Sequence, residues 1–308
     1  MNSDKIRHLL SLRNLNRTDI DWMIERSLLH ASGRATGQPL LGRVIGIYFA
    51  LTSTRTRTAF TTGAMRLGAH VISYGPEDLQ LNTGETLQDT GKVLASMLDA
   101  LVMRTADSPK HLMALANQKR MAIINAMSPE EHPTQALADL MTIHQQFGQI
   151  ENVRVLYVGE GNSTASALSL ALSRYTGAEL YLRTPAGYGL PGSMVTAMSD
   201  ATVKGVVEER HDLNSLPDAV DVVYTARWQT TGTSKRDENW RDTFAPFRVT
   251  ASLFDRYPSA LFMHDLPAHR GDEVDAEVID GPQSIVFQQA KNKLYSAMAA
   301  LEWCMPPN

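Results

Sequence analysis

The sequence of 308 residues has only one cysteine, Cys304, and no strong excess of either charge. A single cysteine cannot form an intrachain disulfide, so a reducing cytoplasm is the expected compartment. With a formal net charge of -4 and a pI near 6.1, the chain has no basic excess that would attract nucleic acid or anionic lipid. It has no apolar run long enough to cross a bilayer, and its start lacks the apolar core of a signal peptide. We therefore expect neither nucleic-acid nor membrane partners.

Apolar runs typical of strands alternate with helical patterns along the whole chain. The runs cover residues 44–51, 69–74, 100–104 and 121–125, and then 153–159, 179–182, 221–224 and 260–263. This alternation predicts parallel sheets that helices cover on both faces. A long helical pattern starts near Pro133 and stops at Gly148, and a second covers about residues 284–303. The predicted fold class is α/β, with two doubly wound parallel-sheet domains joined by long helices.

Residues 53–58 read S-T-R-T-R-T, directly after the apolar run 44–51 and directly before a helical pattern. The first amides of a helix have no intrahelical partners, and the helix dipole favours an anion there. Arg55 and Arg57 add formal charge at the same point. A capped helix with solvated arginines would explain one hydroxyl beside one arginine. Six such residues in a row instead favour a site for phosphate or a group of similar shape.

Other polar residues also follow apolar runs, and in open parallel sheets ligands bind at the carboxyl ends of strands. They are Arg104, His132, Gln135, Asn162, Ser163, 227–229 and 264–267. We expect one cleft, to which the first domain contributes the anion site and the second a site for the partner substrate. The glycine turn 159–161 lacks the third glycine of a dinucleotide fingerprint, so a nicotinamide cofactor is not expected.

The S-T-R-T-R-T segment resembles the phosphate-binding motif of the aspartate/ornithine carbamoyltransferase family. Three further segments agree with that family in order and spacing: M-R-T at 103–105, E-H-P-T-Q-A-L-A-D at 131–139, and H-D-L-P-A-H-R-G-D-E-V at 264–274 followed by G-P-Q-S-I-V-F-Q-Q-A-K-N at 281–292. The last pair looks like the C-terminal signature of the ornithine branch. The resemblance implies a carbamoyl phosphate-binding domain at 1–147, completed by the helix 284–308, and an amine- or amino-acid-binding domain at 148–283. It implies carbamoyl transfer that uses neither a cofactor nor a metal.

The resemblance also implies roles for individual residues. The phosphate would be held by Ser53, Thr54, Arg55 and Thr56. The carbonyl oxygen would face three catalytic residues, Arg104, His132 and Thr56. The carbamoyl nitrogen would be bound by Gln135 and by the main-chain carbonyls of Leu266 and Pro267, whose peptide bond would be cis. Gln80 would reach into a neighbouring subunit's site, which implies a homotrimer with shared active sites, and Lys293 stands where the ornithine branch has an arginine.

Structural roles would explain several of these residues taken one at a time. A histidine at a helix start, such as His132, is more often a cap or a satisfied core residue than a catalyst. Arg104 alone could pair with Asp99 or Asp107. The His-Pro-Thr-Gln context of His132 and the position of Arg104 after an apolar strand favour the functional interpretation.

The segments that would bind the amine depart from the ornithine branch. Its Y-T-D-V-W-x-S-M-G-like segment is Y-T-A-R-W-Q-T-T-G at 224–232, so Ala226 replaces a carboxylate, and its His-Cys-Leu-Pro has become His-Asp-Leu-Pro at 264–267. Arg227 and Gln229 are similar to the Thr-Arg-x-Gln of the aspartate branch. Asp265 would bind a second cationic group or accept a proton, or it would instead pair with Arg227. The candidate amine-binding residues are Asn162, Ser163, Arg227, Gln229, Thr230, Asp265 and Leu266.

These departures lead us to expect an acceptor amine other than ornithine or aspartate. Two alternatives stay open. One is ornithine transfer with divergent recognition, and the other is a catalytically silent relative that binds carbamoyl phosphate.

Overall fold

The computed structural model describes residues 6–79, 84–198, 204–230, 234–235 and 237–305. Its strands are β1 Val44–Phe49, β2 His70–Tyr74, β3 Ala100–Arg104, β4 Ala122–Met127, β5 Arg154–Val158, β6 Glu179–Arg183, β7 Val206–Arg210, β8 Val222–Thr225 and β9 Leu261–His264. Its α-helices are α1 Arg17–Ala31, α2 Arg55–Arg66, α3 Leu87–Leu94, α4 Pro109–Leu115, α5 Pro133–Phe147, α6 Ser163–Leu172, α7 Gly192–Ala197, α8 Trp240–Phe244, α9 Ala251–Arg256, α10 Ala276–Ile279 and α11 Val286–Cys304. Short 3-10 helices cover Leu12–Asn14 and Ala245–Phe247.

The chain divides into two compact units. The first comprises Met1–Met141 and Asn292–Asn308, and the second comprises Thr142–Lys291. The first unit holds a four-stranded sheet in the order β2-β1-β3-β4, and the second a five-stranded sheet in the order β7-β6-β5-β8-β9. All strand pairs in both sheets are parallel. The predicted architecture of two parallel α/β sheets is therefore confirmed, and the breaks between the units fall within α5 and α11.

Strand β7 is the one element of the second sheet that lies outside the predicted apolar runs. Its sequence is V-V-E-E-R, and its residues are half-buried or exposed. It lies at the sheet edge, where it pairs only with β6 among the described strands. An edge strand is covered on fewer sides than a central one, so it needs no continuous apolar run and gives a weak signal in the sequence.

Helix α5 begins and ends where its sequence predicts. Pro133 occupies the first helical position, where a missing N–H costs no hydrogen bond. Gly148 follows the last residue with a φ of 73°, and its amide donates to the His144 carbonyl at 2.9 Å. Glycine adopts this left-handed conformation without strain, so it closes the helix.

The register of each sheet brings the chemically important strand ends together. In the first sheet Phe49 of β1 pairs with Arg104 of β3, both at the carboxyl ends of their strands. In the second sheet Thr225 of β8 lies between Val158 of β5 and His264 of β9. The segments that follow these residues are therefore neighbours at one edge of each sheet. Within the described residues no helix combines the length and the apolar character that a membrane span requires.

Candidate active site

The anion-binding segment predicted at residues 53–56 runs into the start of α2. Thr54 is the N-cap, and its side chain makes no capping hydrogen bond to the described part of α2. Thr56 is buried in the first turn, and Arg55 is half-buried beside it. Phe49, at the end of β1, packs under Arg57, whose guanidinium lies 5.3 Å from the ring centroid. The segment thus sets hydroxyls and guanidinium groups around the amino end of a 12-residue helix.

Arg104 lies at the neighbouring strand end, as the sequence predicts. Its side chain is buried, and its carbonyl accepts a hydrogen bond from the Ala50 amide at 3.0 Å. That bond joins the residue after β1 to the last residue of β3. Because the chain continues from there into residues 53–56, Arg104 and the anion-binding segment lie at the same edge of the first sheet.

A small cavity in the first unit is lined by four of the predicted carbamoyl phosphate-binding residues. They are Thr56, His132, Gln135 and Lys293, and Ala59, Phe60 and Thr134 complete the lining. The Thr134 hydroxyl lies 3.3 Å from His132 Nδ1. Lys293 is buried and comes from α11, although it is far from the other residues in sequence. The cavity therefore combines an imidazole and an amine with two hydroxyls and an amide.

Gln135 has a fixed orientation in this cavity. Its Nε2 donates to Oδ1 of the fully buried Asp139 at 2.8 Å, one helical turn along α5. Its Oε1 is buried and accepts no hydrogen bond from any described residue. A buried acceptor without a donor is unfavourable, so Oε1 is suited to receive an N–H group from a ligand.

Glu131, next to His132, has an unusual electrostatic environment. Its carboxyl accepts hydrogen bonds from the Ser11 hydroxyl and from the Leu12 amide, the second at 2.7 Å. Burial raises the pKa of Glu131 to about 7, although these hydrogen bonds and nearby Arg13 act in the opposite direction. The residue ties the chain near Ser11 to the start of α5.

In the second unit Asn162 is the N-cap of α6. Its Oδ1 accepts the amides of Thr164 and Ala165 at 3.0 and 3.1 Å. The Tyr157 hydroxyl lies 3.4 Å from the same oxygen. Ser163 is buried at the first position of the helix. The carbonyl oxygen of Asn162 thus serves as a cap, while its amide nitrogen is the group suited to a ligand.

Asp265 follows β9 and contacts the same helix. Its Oδ2 accepts a hydrogen bond from the Thr164 hydroxyl at 2.8 Å, and its Oδ1 lies 3.4 Å from His264 Nδ1. The Leu266 amide donates to that Nδ1 at 2.8 Å, and His264 Nε2 lies 3.2 Å from Glu273. The Leu266–Pro267 peptide bond is cis, the geometry that the resemblance implies.

The segment after β8 carries the remaining candidates for the amine site. Arg227, Gln229 and Thr230 are half-buried, and they alternate with the buried Ala226 and Trp228. Gln80 lies outside the described residues.

The structure adds residues that the motifs did not single out. Asp139 orients Gln135, and its spacing of four residues on one helix is a signal that the sequence does contain. Thr164 holds Asp265, a contact between residues 101 positions apart that no local pattern reveals. The described residues contain no cluster of three or more side chains suited to a metal ion.

Two parts of the chain match the descriptions of one known protein family. Residues 7–145 match the family described as aspartate/ornithine carbamoyltransferase, carbamoyl-P binding domain. Residues 151–304 match aspartate/ornithine carbamoyltransferase, Asp/Orn binding domain.

Individual relatives match over nearly the whole chain. The ornithine carbamoyltransferase of Symbiobacterium thermophilum is 36% identical, with 99% of this chain and 100% of the relative covered. The anabolic ornithine carbamoyltransferase of Pyrococcus furiosus is 38% identical, with 97% and 96% covered. The solved structure of ornithine carbamoyltransferase from P. furiosus superposes with a TM-score of 0.89 at 36% identity, covering 97% of this chain and 96% of that one.

These relatives correct one expectation. An acceptor other than ornithine or aspartate was predicted from Ala226 and Asp265, but relatives at 33 to 38% identity over the full length carry the name ornithine carbamoyltransferase. Ala226 and Asp265 are local differences, whereas the similarity to these relatives extends through both units. The chain is a carbamoyltransferase and belongs to the aspartate/ornithine carbamoyltransferase family.

Proposed function

We propose that the protein transfers the carbamoyl group of carbamoyl phosphate to the side-chain amine of L-ornithine, giving citrulline and phosphate. The observation that carries this proposal is the full-length match to relatives named ornithine carbamoyltransferase. The cavity lined by Thr56, His132, Gln135 and Lys293 supports the carbamoyl phosphate half of the reaction.

In this reaction the amine nitrogen attacks the carbonyl carbon, the bond from that carbon to the phosphate oxygen breaks, and the proton that the nitrogen loses passes to the departing phosphate. Negative charge develops first on the carbonyl oxygen and then on the departing phosphate. Fixed donors at both places stabilise the transition state more than the ground state. We assign the carbonyl oxygen to Arg104, His132 and Thr56, and the phosphate to Ser53, Thr54, Arg55 and Thr56. The positive charge of Lys293 would help to offset the negative charge of carbamoyl phosphate.

Gln135 is assigned to the carbamoyl nitrogen. Its Oε1 is the group suited to accept an N–H, because Nε2 is engaged by Asp139. The main-chain carbonyls of Leu266 and Pro267 would accept the remaining N–H of that nitrogen. A polar group that binds an N–H discriminates strongly against analogues that lack it, so this contact would separate a carbamoyl from an acetyl group.

Ornithine recognition, we propose, uses groups that differ from those of the ornithine branch. The carboxylate of Asp265 supplies the negative charge that Ala226 lacks, and the Thr164 hydroxyl orients it. Arg227 and Gln229 are assigned to the substrate carboxylate, with Asn162, Ser163, Thr230 and Leu266 as further contacts. A cation and an anion on the amino acid would thus meet groups of opposite sign.

The assembly proposed is a cytoplasmic homotrimer in which Gln80 reaches a neighbouring site. The single buried cysteine supports a reducing compartment. Large apolar side chains exposed on the first unit, Met65, Ile72, Val93 and Met97, support an interface. Light scattering after gel filtration should give three times the chain mass of 34.0 kDa, and a monomer would contradict the shared site.

For the domain bounds, we propose residues 1–147 with 284–308 as the carbamoyl phosphate domain and 148–283 as the amine domain.

The reaction is tested by mass spectrometry of purified protein with carbamoyl phosphate and a panel of amines, diamines and amino acids that includes ornithine and aspartate. Citrulline should be the main ureido product, with one phosphate released per product. The Arg104→Ala variant serves as the inactive control. A carbamoylated amine other than ornithine as the main product, or no product at all, would overturn the proposal.

A further inference from the structure

Lys235 occupies an aromatic cage in the second unit. Its Nζ lies 4.8 Å from the ring centroid of Tyr188, 4.8 Å from that of Phe244 and 5.5 Å from that of Trp240. Glu160 forms an ion pair with the same nitrogen. The lysine side chain is only 5% exposed. We call this set the lysine cage: Lys235 with Glu160, Tyr188, Trp240 and Phe244.

The carboxylate side of the lysine cage lies on a turn that main-chain contacts hold in place. The Tyr157 hydroxyl donates to the Glu160 carbonyl at 2.9 Å, and the Gly161 amide donates to the Tyr188 carbonyl at 2.8 Å. A Cβ at Gly161 would collide with the main chain of Gly189, so only glycine permits this approach. Contacts that do not involve Lys235 therefore hold the main chain at Glu160 and Gly161.

Each side of the lysine cage is separated from proposed ornithine-binding residues by a single residue. Glu160 precedes Asn162 by two positions, and Tyr157 contacts both. On the other side the ring of Phe244 packs at 5.5 Å from that of Trp228, which lies between Arg227 and Gln229 in the chain. Lys235 thus contacts the turn that leads into α6 and the aromatic cluster that supports the segment after β8.

The charge of Lys235 is the feature that requires explanation. Burial of an ammonium group is costly unless a carboxylate and polarisable rings replace its water. Burial likewise raises the pKa of Glu160, and the adjacent lysine lowers it in part. A methionine of similar length would fill the same space among three rings without this cost. A neutral residue could thus replace the buried Lys235–Glu160 ion pair at a lower free-energy cost. We therefore explain the pair by the geometry that it imposes on the neighbouring segments rather than by a contribution to stability.

We infer that Lys235 is a positioning residue for ornithine binding: by joining Glu160 to the aromatic cluster it sets the segment of Arg227 to Thr230 against the start of α6. This inference rests on the proposed function and deepens it. Lys235 itself touches no reacting atom in this account. Its loss should therefore weaken ornithine binding while leaving carbamoyl phosphate binding intact.

The test uses the full-length protein and compares Lys235→Met, Lys235→Arg, Glu160→Gln and the double variant Lys235→Met/Glu160→Gln. Lys204, an exposed lysine of the same unit, provides the control Lys204→Met. We expect Lys235→Met to raise the KM for ornithine about tenfold, and the KM for carbamoyl phosphate to stay within about twofold. Lys235→Arg keeps a cation over the rings and should stay near the wild type. Because the two residues form one unit, the double variant should be no worse than Lys235→Met alone.

Tryptophan emission gives a readout that does not depend on activity, because the lysine ammonium lies over the ring of Trp240. Lys235→Met should shift that emission, and Lys204→Met should not. Equal changes in the KM of both substrates, or a lower thermal midpoint with an unchanged KM for ornithine, would overturn the inference. An arginine variant as impaired as the methionine variant would do the same. If the wild type makes no citrulline, the proposed function fails; if it does and Lys235→Met matches it, only the inference on Lys235 fails.

Discussion

Gln135 Nε2 donates to Asp139 Oδ1 at 2.8 Å, and this contact decides which end of the Gln135 amide faces the cavity beside His132. With Nε2 engaged, Oε1 is left as an acceptor. The proposed ligand group at this point, a carbamoyl nitrogen, is a donor. The hydrogen bond between Gln135 and Asp139 therefore makes this point of the site an acceptor. A reversed Gln135 amide would instead present its own N–H groups to those of the carbamoyl nitrogen.

Replacing Asp139 should weaken carbamoyl phosphate binding although Asp139 lies behind Gln135. Asp139→Leu fills a similar volume but removes the acceptor, so the amide loses its fixed orientation. We expect the KM for carbamoyl phosphate to rise about tenfold. Asp139→Asn retains an oxygen that can accept from Nε2 and should have a smaller effect. The steady-state KM of each substrate, with thermal midpoints to confirm folding, gives the measurement, and equal effects of the two substitutions would contradict the proposed orientation.

Arg55 should contribute to anion binding far more than an arginine at the other end of the same helix. Arg55 opens α2, whereas Arg66 closes it. Arg55→Ala should weaken the binding of inorganic phosphate about 10- to 100-fold, because a charged donor at the helix amino end is lost. The matched control Arg66→Ala should stay within about twofold. Calorimetric titration with phosphate checks both, and normal binding by Arg55→Ala would remove residues 53–56 from the proposed site.

Eight of the nine described strands and the motif residues are predictable from the sequence, because each depends on local pattern. The apolar run 100–104 coincides with β3 because that strand is buried throughout, whereas the half-exposed β7 gave no such run. His132 and Gln135 were found through the His-Pro-Thr-Gln start of α5. Lys293 was placed with them only by resemblance, and the cavity lining supplies the spatial relation.

The lysine cage and the Thr164–Asp265 contact were not predictable in this way. Glu160, Tyr188 and the pair Trp240 and Phe244 come from three separate parts of the chain, and only the last two are related by helical spacing, within α8. A lysine in a polar segment is normally a solvated side chain, so its burial among three rings depends on tertiary packing alone. An acceptor other than ornithine or aspartate, expected from local differences at Ala226 and Asp265, is contradicted by the similarity to ornithine carbamoyltransferases that extends through both units.

Glu131 should make the stability of the protein depend on pH. Burial raises its pKa in the folded protein from 4.5 to about 7. Between these values the unfolded chain has released the proton and the folded protein still holds it. This contribution to stability is therefore fully present below about pH 4.5 and is lost as the pH rises through about 7, with a total of about 3 kcal/mol.

The variant Glu131→Gln isolates this effect, because glutamine stays neutral and can accept the Leu12 amide as the protonated acid does. Thermal midpoints of wild type and variant should converge at the acidic end of a series from pH 5 to 8. The wild type should fall below the variant at the alkaline end. Two curves that stay parallel across the series would show that Glu131 does not titrate in this range.

Asp265 should control the acceptor amine and leave the carbamoyl donor unaffected. Asp265 directly follows β9, a strand at the edge of the second sheet, and its carboxylate accepts a hydrogen bond from the Thr164 hydroxyl at 2.8 Å. Asp265→Asn removes the negative charge that we propose as a contact for ornithine. It should raise the KM for ornithine about tenfold and leave the KM for carbamoyl phosphate within about twofold of the wild-type value. Asp265→Cys restores the residue of the ornithine branch and should change selectivity among amines more than affinity for carbamoyl phosphate.

Thr164→Val provides the matched test of orientation. It removes the hydroxyl that holds the carboxylate but leaves the charge in place, so its effect should have the same direction as that of Asp265→Asn and a smaller size. Combining the two changes should add little, because Thr164 acts through Asp265. Kinetics with ornithine, aspartate and a diamine measure these effects. An equal rise in the KM for carbamoyl phosphate and the KM for ornithine in Asp265→Asn would contradict this role. It would indicate instead that Asp265 forms a structural pair with Arg227. Arg227 would then be unavailable for the substrate carboxylate.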